Sequence, residues 1–197
     1  MRDGGEIIVA EIRPNIFVTL DGVDGVGKTT VAQLLAARGY IYYKSPSGPF
    51  ADLRREIDQR ALPLERYCFY RLATEYDAQQ IRVLLETGSV VCDRYITSTV
   101  AYHMALDDRI RGIHDANVLM KPDFAFLLHA CPEVRDRRIR ARAGGRSDAV
   151  FESNSAFLNR VADVFTTLGL HQIDTSDMTP EEVVSLIERV ITRGTSP

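Results

Sequence analysis

The sequence predicts an α/β fold, a mostly parallel five-stranded sheet with helices on both faces. Two patterns carry that expectation. Short apolar, β-prone runs alternate with stretches of helical spacing from residue 16 towards the C-terminus, an order that implies parallel crossovers and a sheet covered on both sides. Between the first such run and the first helical stretch sits Gly22-Val23-Asp24-Gly25-Val26-Gly27-Lys28-Thr29. Three glycines, an acid and a lysine in one tight connection need a reason beyond turning the chain.

The elements follow in order. "IFVTL" (16–20) is short, apolar and β-branched, as a buried strand should be. "VAQLLAARG" is helical and stops at Gly39. "YIYY" (40–43) is a second strand, and "SPSGPF" reads as a loop because two prolines and a glycine oppose regular structure. Helical spacing runs from Ala51 to about Arg60 and from Leu64 to Thr87. "SVVC" (89–92) is a third strand, and Ser98 to about Leu106 reads as helix. "FAFLLHA" (124–130) is a fourth strand, Pro132 opens a charged helix to Arg142, and a further helix covers about 152–168. "LHQID" (170–174) is the fifth strand. In the last helix Thr179, Pro180 and Glu182 have capping-box spacing. The segment "EIIVAEI" near the N-terminus is left open between an extra strand and simple packing.

Composition sets limits. A chain of 197 residues supports one sizeable core, so a single domain over 1–197 is expected. Hydrophobic residues make up 45% and charged residues 26%, ordinary for a globular protein. No apolar run approaches the roughly 20 residues of a membrane span, and "MRDGGEIIVAEIRP" lacks a signal-peptide layout. Cys68, Cys92 and Cys131 are odd in number and widely spaced, which reads as buried free thiols in a reducing, cytoplasmic setting. A net charge of −3 excludes a global basic field for nucleic acid. Locally, six arginines crowd into "RDRRIRARAGGR" from Arg135 to Arg146. Such a cluster serves either a solvated helix face or an anionic partner.

The glycine-rich connection satisfies G-x-x-x-x-G-K-[ST], the phosphate-binding P-loop. Glycines let successive N–H groups converge on an anion at the positive end of the following helix. A three-layer P-loop NTPase fold is therefore expected, with Gly22, Gly25, Val26, Gly27, Lys28, Thr29 and Thr30 around the phosphates of ATP. Lys28 would reach the β- and γ-phosphates, and the Thr29 hydroxyl would ligate Mg²⁺. The third strand ends in Asp93-Arg94-Tyr95. Beside a P-loop, the Asp93 carboxylate is a second Mg²⁺ ligand and Arg94 a phosphate clamp. Asp21 is left with a structural role at its strand end.

At these residues the chain resembles the thymidylate kinase family. "DRYITSTVAYH" is similar to its D-R-[YH]-x-x-S-[ST]-x-A-Y-Q segment, "GVDGVGKTT" to its P-loop, and "KPDFAFLLHACPEVRDRRIRAR" to its segment leading into the lid. The spacing agrees from about Ile16 to Val161. The resemblance implies an ATP- and Mg²⁺-dependent nucleoside monophosphate kinase acting on dTMP or a related pyrimidine nucleotide, working as a homodimer. It also implies that Asp24 touches the acceptor sugar, that Asp93 and Arg94 organise metal and phosphate, and that Ser98 and Tyr102 lie in the acceptor site. Arg142 and Arg146, flanking Gly144-Gly145, fall in the mobile lid of about 135–150 and would supply the catalytic arginine, since position 25 is glycine rather than the arginine of some members. Three departures fall at the acceptor end. Lys44 stands for an arginine, the helix arginine is displaced to Arg71, and His103 replaces a glutamine. They leave open whether the acceptor is dTMP, another nucleotide, or a nucleoside whose 5′-hydroxyl would need Asp93 as a base. A degenerate P-loop scaffold is the non-enzyme alternative.

Overall fold

The computed structural model describes residues 15–113, 119–141 and 155–194. "EIIVAEI", Arg142, Gly144, Gly145 and Arg146 lie outside them. The sheet has five parallel strands: β1 (Phe17–Asp21), β2 (Ile41–Lys44), β3 (Val90–Asp93), β4 (Phe124–His129) and β5 (His171–Asp174), in the order β2-β3-β1-β4-β5. The helices are α1 (Lys28–Ala37), α2 (Gly48–Arg60), α3 (Pro63–Leu84), α4 (Ile96–Met104), α5 (Ile110–Ile113), α6 (Pro132–Ala141), α7 (Ser155–Thr166) and α8 (Pro180–Gly194).

Alternation along the strands builds two cores. Val18, Leu20 and Val91 pack with Val31 and Leu35 of α1 and Val184 and Ile187 of α8. Phe17, Val90 and Cys92 turn the other way, onto Ala78 and Ile81 of α3. Continuous apolar strands are what a sheet covered on both faces requires. The five expected strands are all present, the sheet is wholly parallel, and the Thr179–Glu182 capping box forms, with Thr179 N–H on Glu182 Oε2 at 2.8 Å.

Two expectations are corrected. "SPSGPF" is not all loop, because α2 begins at Gly48 with Pro49 in its first turn. A proline there forfeits an N–H that has no partner in any helix and brings a helical φ. Nor are all three cysteines buried: Cys92 is, but Cys68 and Cys131 are exposed free thiols.

Strand order fixes the site. The chain leaves β1 towards β2 and later leaves β3 for β4 on the far side. This reversal opens a crevice at the carboxyl ends of the central strands. Asp21, Lys44 and Asp93 end β1, β2 and β3 there.

Candidate active site

The P-loop runs from Gly22 into α1. Gly22 has φ +139°, and a Cβ there would sit 2.2 Å from the Leu128 carbonyl of β4, so no other residue fits. Gly27, the N-cap, is left-handed at φ 98°. It offers no side-chain cap and no acid follows in the first turn. The first N–H groups of α1 thus have no side-chain acceptor, as an anion-binding helix start requires. Val26 is buried, and its carbonyl accepts the Thr175 hydroxyl at 3.0 Å. Thr30 is exposed in the first helical turn.

Lys28 Nζ donates to the Val23 carbonyl at 2.8 Å and lies 3.8 Å from Asp24. Burial, with Arg94 nearby, lowers its pKa to about 8 despite Asp24, Asp93 and Asp21. Asp93 is 2% exposed. Its Oδ2 accepts the Thr29 hydroxyl at 2.6 Å, while Oδ1 is buried without a hydrogen-bond partner among the described residues. A hydroxyl and a carboxylate with one unsatisfied anionic oxygen are the hard donors Mg²⁺ takes.

Arg94 has φ 73°, the left-handed region an L-residue enters at a cost of about 1–2 kcal/mol. Its guanidinium donates to Asp24 Oδ1 and to the Gly22 carbonyl at 3.2 Å, and lies 5.4 Å from the centre of the Tyr102 ring. Burial disfavours its charge, but Asp24, Tyr102 and Asp93 together hold its pKa above the usual guanidinium value. Tyr102 donates to Asp24 Oδ2 at 3.3 Å.

Asp21, fully buried, holds this corner in place. It accepts the Tyr95 N–H at 3.3 Å, the Ser98 N–H at 3.0 Å, the Ser98 hydroxyl at 2.6 Å and the Thr97 hydroxyl at 2.9 Å. The carboxylate at the end of β1 therefore caps α4, and Ser98 spends its hydroxyl on that cap while still lining the cavity. Asp21→Ala strands several buried donors at once and is expected to cost about 4 kcal/mol. A shift in the urea midpoint at unchanged m-value measures it.

From the P-loop the crevice continues as a cavity of about 250 Å³ between α2, α3 and α4. Of the expected acceptor-site residues, Asp24, Lys44, Arg94, Ser98, Tyr102 and His103 line it. Arg71 does not line it, and pairs instead with Glu75 at 3.5 Å. On α3 the inward face carries Arg66 and Tyr70, one turn apart, and residue 71 is rotated about 100° away. Arg54 and Asp58 from α2 complete the wall. Tyr70 donates to both Asp58 oxygens at 3.0 Å, and Arg66 donates to the Asp58 carbonyl at 2.8 Å. These four residues were missed from sequence, although the i, i+4 pair Arg66/Tyr70 within an apolar-spaced helix was the available signal.

The arginine cluster divides. Arg135 is 3% exposed, its stem filling the space where a Cβ on Gly25 would lie, at 2.5 Å. Arg138 donates to the Thr175 hydroxyl and carbonyl at 3.0 and 2.6 Å. At least two of the six thus brace the P-loop and the end of β5, and are not a solvated face.

A family model described as thymidylate kinase matches residues 20–187. The chain belongs to the thymidylate kinase family. A probable thymidylate kinase of Pyrobaculum aerophilum is 30% identical over 190 residues, covering 90% of this chain and 96% of that relative. The thymidylate kinase of an Exiguobacterium species is 31% identical, covering 78% and 80%. The solved thymidylate kinase of Candida albicans superposes with a TM-score of 0.74 at 22% identity, over 91% of this chain and 92% of that one. This member of the thymidylate kinase family therefore combines the family's fold with a pocket wall of Arg54, Asp58, Arg66 and Tyr70. Among its described residues no helix is long and apolar enough to cross a membrane.

Proposed function

We propose that the chain transfers the γ-phosphoryl group of ATP to the phosphate of dTMP or a closely related pyrimidine monophosphate. One observation carries this reading: a single cavity joins the P-loop and the Thr29–Asp93 pair to Arg94 and the α2–α3 pocket. Donor and acceptor thus meet in one crevice. Five cations, Lys28, Lys44, Arg54, Arg66 and Arg94, line it, the field two facing phosphates require.

The roles follow. Gly22, Gly25, Gly27 and the start of α1 hold the β- and γ-phosphates, and Lys28 neutralises the charge that develops between them. Thr29 and Asp93 would hold Mg²⁺, which would supply further neutralisation of that charge. Arg94, fixed by Asp24 and Gly22, receives the acceptor phosphate, and Asp24 with Tyr102 meets the sugar. A phosphate oxygen is already a nucleophile, so positioning and charge neutralisation suffice. Arg135 and Arg138 are held against Gly25 and Thr175, so within one domain the transferring group would be met by Arg142 and Arg146 further along. A homodimer is consistent with Leu72 and Val83, exposed on one face of α3; sedimentation at micromolar concentration tests it.

The kinase reading is tested by ADP release with ATP, Mg²⁺ and dTMP, beside thymidine alone. Turnover with dTMP is expected. Turnover with thymidine but not dTMP would overturn the monophosphate reading.

A further inference from the structure

None of the thirteen residues of α2 is buried. A helix of that length is marginal on its own in water, so its place beside the cavity depends on what ties it to its neighbours. Towards its C-terminal end, Asp58 accepts the Tyr70 hydroxyl and pairs with Arg66, both of α3. In its first turn the Phe50 ring lies 5.4 Å from Phe69 and 5.6 Å from Tyr76. The start is held differently. Ser47 is the N-cap, where a serine hydroxyl ordinarily satisfies its own helix, yet it makes no side-chain capping bond. Its hydroxyl donates instead to Asp77 Oδ1 of α3 at 2.6 Å, and its N–H donates to the same oxygen at 3.2 Å.

Asp77 is fully buried, and its Oδ1 also accepts the Tyr43 hydroxyl of β2 at 2.9 Å. One carboxyl oxygen thus gathers donors from both ends of the short connection between β2 and α2. Within that connection Lys44, Ser45 and Pro46 line the cavity, and Arg54 and Asp58 of α2 continue the wall. Asp77 is not itself a lining residue. The end of β2 is carried by the sheet, since the Ser45 N–H donates to the Asp93 carbonyl at 3.3 Å. The start of α2 has Asp77 in that place. The other oxygen, Oδ2, is buried without a hydrogen-bond partner among the described residues, so this side chain does its hydrogen bonding through Oδ1.

Resting on the monophosphate kinase reading, we propose that Asp77 is a positioning residue for the acceptor: through Ser47 it docks the start of α2, and so sets the Lys44–Pro46 edge and Arg54 of the cavity before the nucleotide arrives. Without this tie α2 docks only part of the time, and the apparent affinity for the acceptor falls by the fraction docked. The P-loop lies between β1 and α1, outside the reach of this tie, so ATP binding is unaffected.

Asp77→Ala is expected to weaken dTMP binding, measured by calorimetry without ATP, by about tenfold, and to raise the KM for dTMP by a similar factor. The KM for ATP and kcat at saturating dTMP should stay within about threefold, since bound dTMP docks the helix again. Amides of residues 48–60 should exchange with deuterium about tenfold faster in this variant and slow again with saturating dTMP. Asp77→Asn should bring binding and exchange back to within about threefold of the wild type, because its carbonyl oxygen takes the same donors and its amide falls where Oδ2 has no partner. Adding Ser47→Ala to Asp77→Ala should weaken dTMP binding no further, since it removes a group through which Asp77 acts. If Asp77→Ala does not fold, Ser47→Ala alone, which loses one of the donors, should show the same pattern at about threefold. Thr179→Ala opens the capping box of α8, away from the cavity, and should lower stability without moving the KM for dTMP. Equal rises in the KM for ATP and for dTMP, unchanged exchange over 48–60, or an asparagine variant no better than alanine would each overturn the proposal. A wild type that transfers no phosphoryl group would reject the kinase reading alone, with dTMP binding and exchange still deciding the role of Asp77.

Discussion

Replacing Lys28 by methionine is expected to lower kcat by about a thousandfold or more while making the protein more stable. The loss of rate follows from removing the one cation seated within the P-loop, where preorganised charge is worth most. The gain follows from the cost of burying that charge. Lys28 is buried, and its pKa has fallen from 10.5 to about 8 even with Asp24, Asp93 and Asp21 around it. That depression amounts to about 3 kcal/mol of strain at neutral pH. Methionine fills a similar volume and removes it, at the loss of the hydrogen bond to the Val23 carbonyl, worth about 1 kcal/mol. A net gain of about 2 kcal/mol corresponds to roughly 4–8 °C in Tm for a chain of this size. The pH dependence supplies a sign. Between about pH 8 and 10.5 the unfolded chain holds a proton on this lysine that the folded chain has released, so wild-type stability rises with pH across that window. The advantage of the variant should be full below pH 8 and fade towards pH 10. A variant that melts below the wild type at pH 7 would refute the strain, whatever its activity. ATP should stabilise the wild type much more than the variant.

The same contrast explains what could be read from the chain before its structure. The P-loop was legible because its chemistry is local: eight consecutive residues contain the turn, the anion site and the start of α1. The strands were legible for a similar reason, since each is a short apolar run whose pairing follows from the crossover rule. Asp21 could be placed at a strand end, but its four donors come from residues 95–98 and no spacing announces that contact. The acceptor pocket was the least legible part. Its wall is Asp58 from α2 and Arg66 and Tyr70 from α3, meeting His103 from α4, and only helix packing brings them together. Arg71 stands two or three residues from the expected place of the helix arginine, and helical phase turns it away from the cavity onto Glu75. Arg135 belongs to a cluster whose sequence leaves a solvated face and an anion site both open, and its stem lies against Gly25. The space that an arginine at position 25 would need is already taken.

Arg94→Lys is expected to cut kcat/KM for the acceptor by about 10²–10³ while leaving the KM for ATP within about twofold. Lysine keeps the charge and the same Cβ, so the left-handed backbone at this position costs both residues alike and cancels from the comparison. What changes is the head group. The guanidinium reaches Gly22 and Asp24 at once and lies over the Tyr102 ring. A single ammonium can satisfy only part of that arrangement. Freed from it, the cation no longer waits at one point, and the acceptor phosphate loses the alignment on which the rate depends. Asp24 should therefore behave as part of the same unit. Asp24→Asn alone leaves Arg94 and Lys28 buried beside each other without their shared carboxylate, a loss of several kcal/mol in stability as well as in rate. If the two residues act together, the double variant should lose far less than the product of the single losses, by about tenfold or more. Additive losses would mean that Arg94 meets the acceptor without Asp24's help. An Arg94→Lys enzyme within about threefold of wild type would mean that charge alone, without the guanidinium's fixed direction, is sufficient.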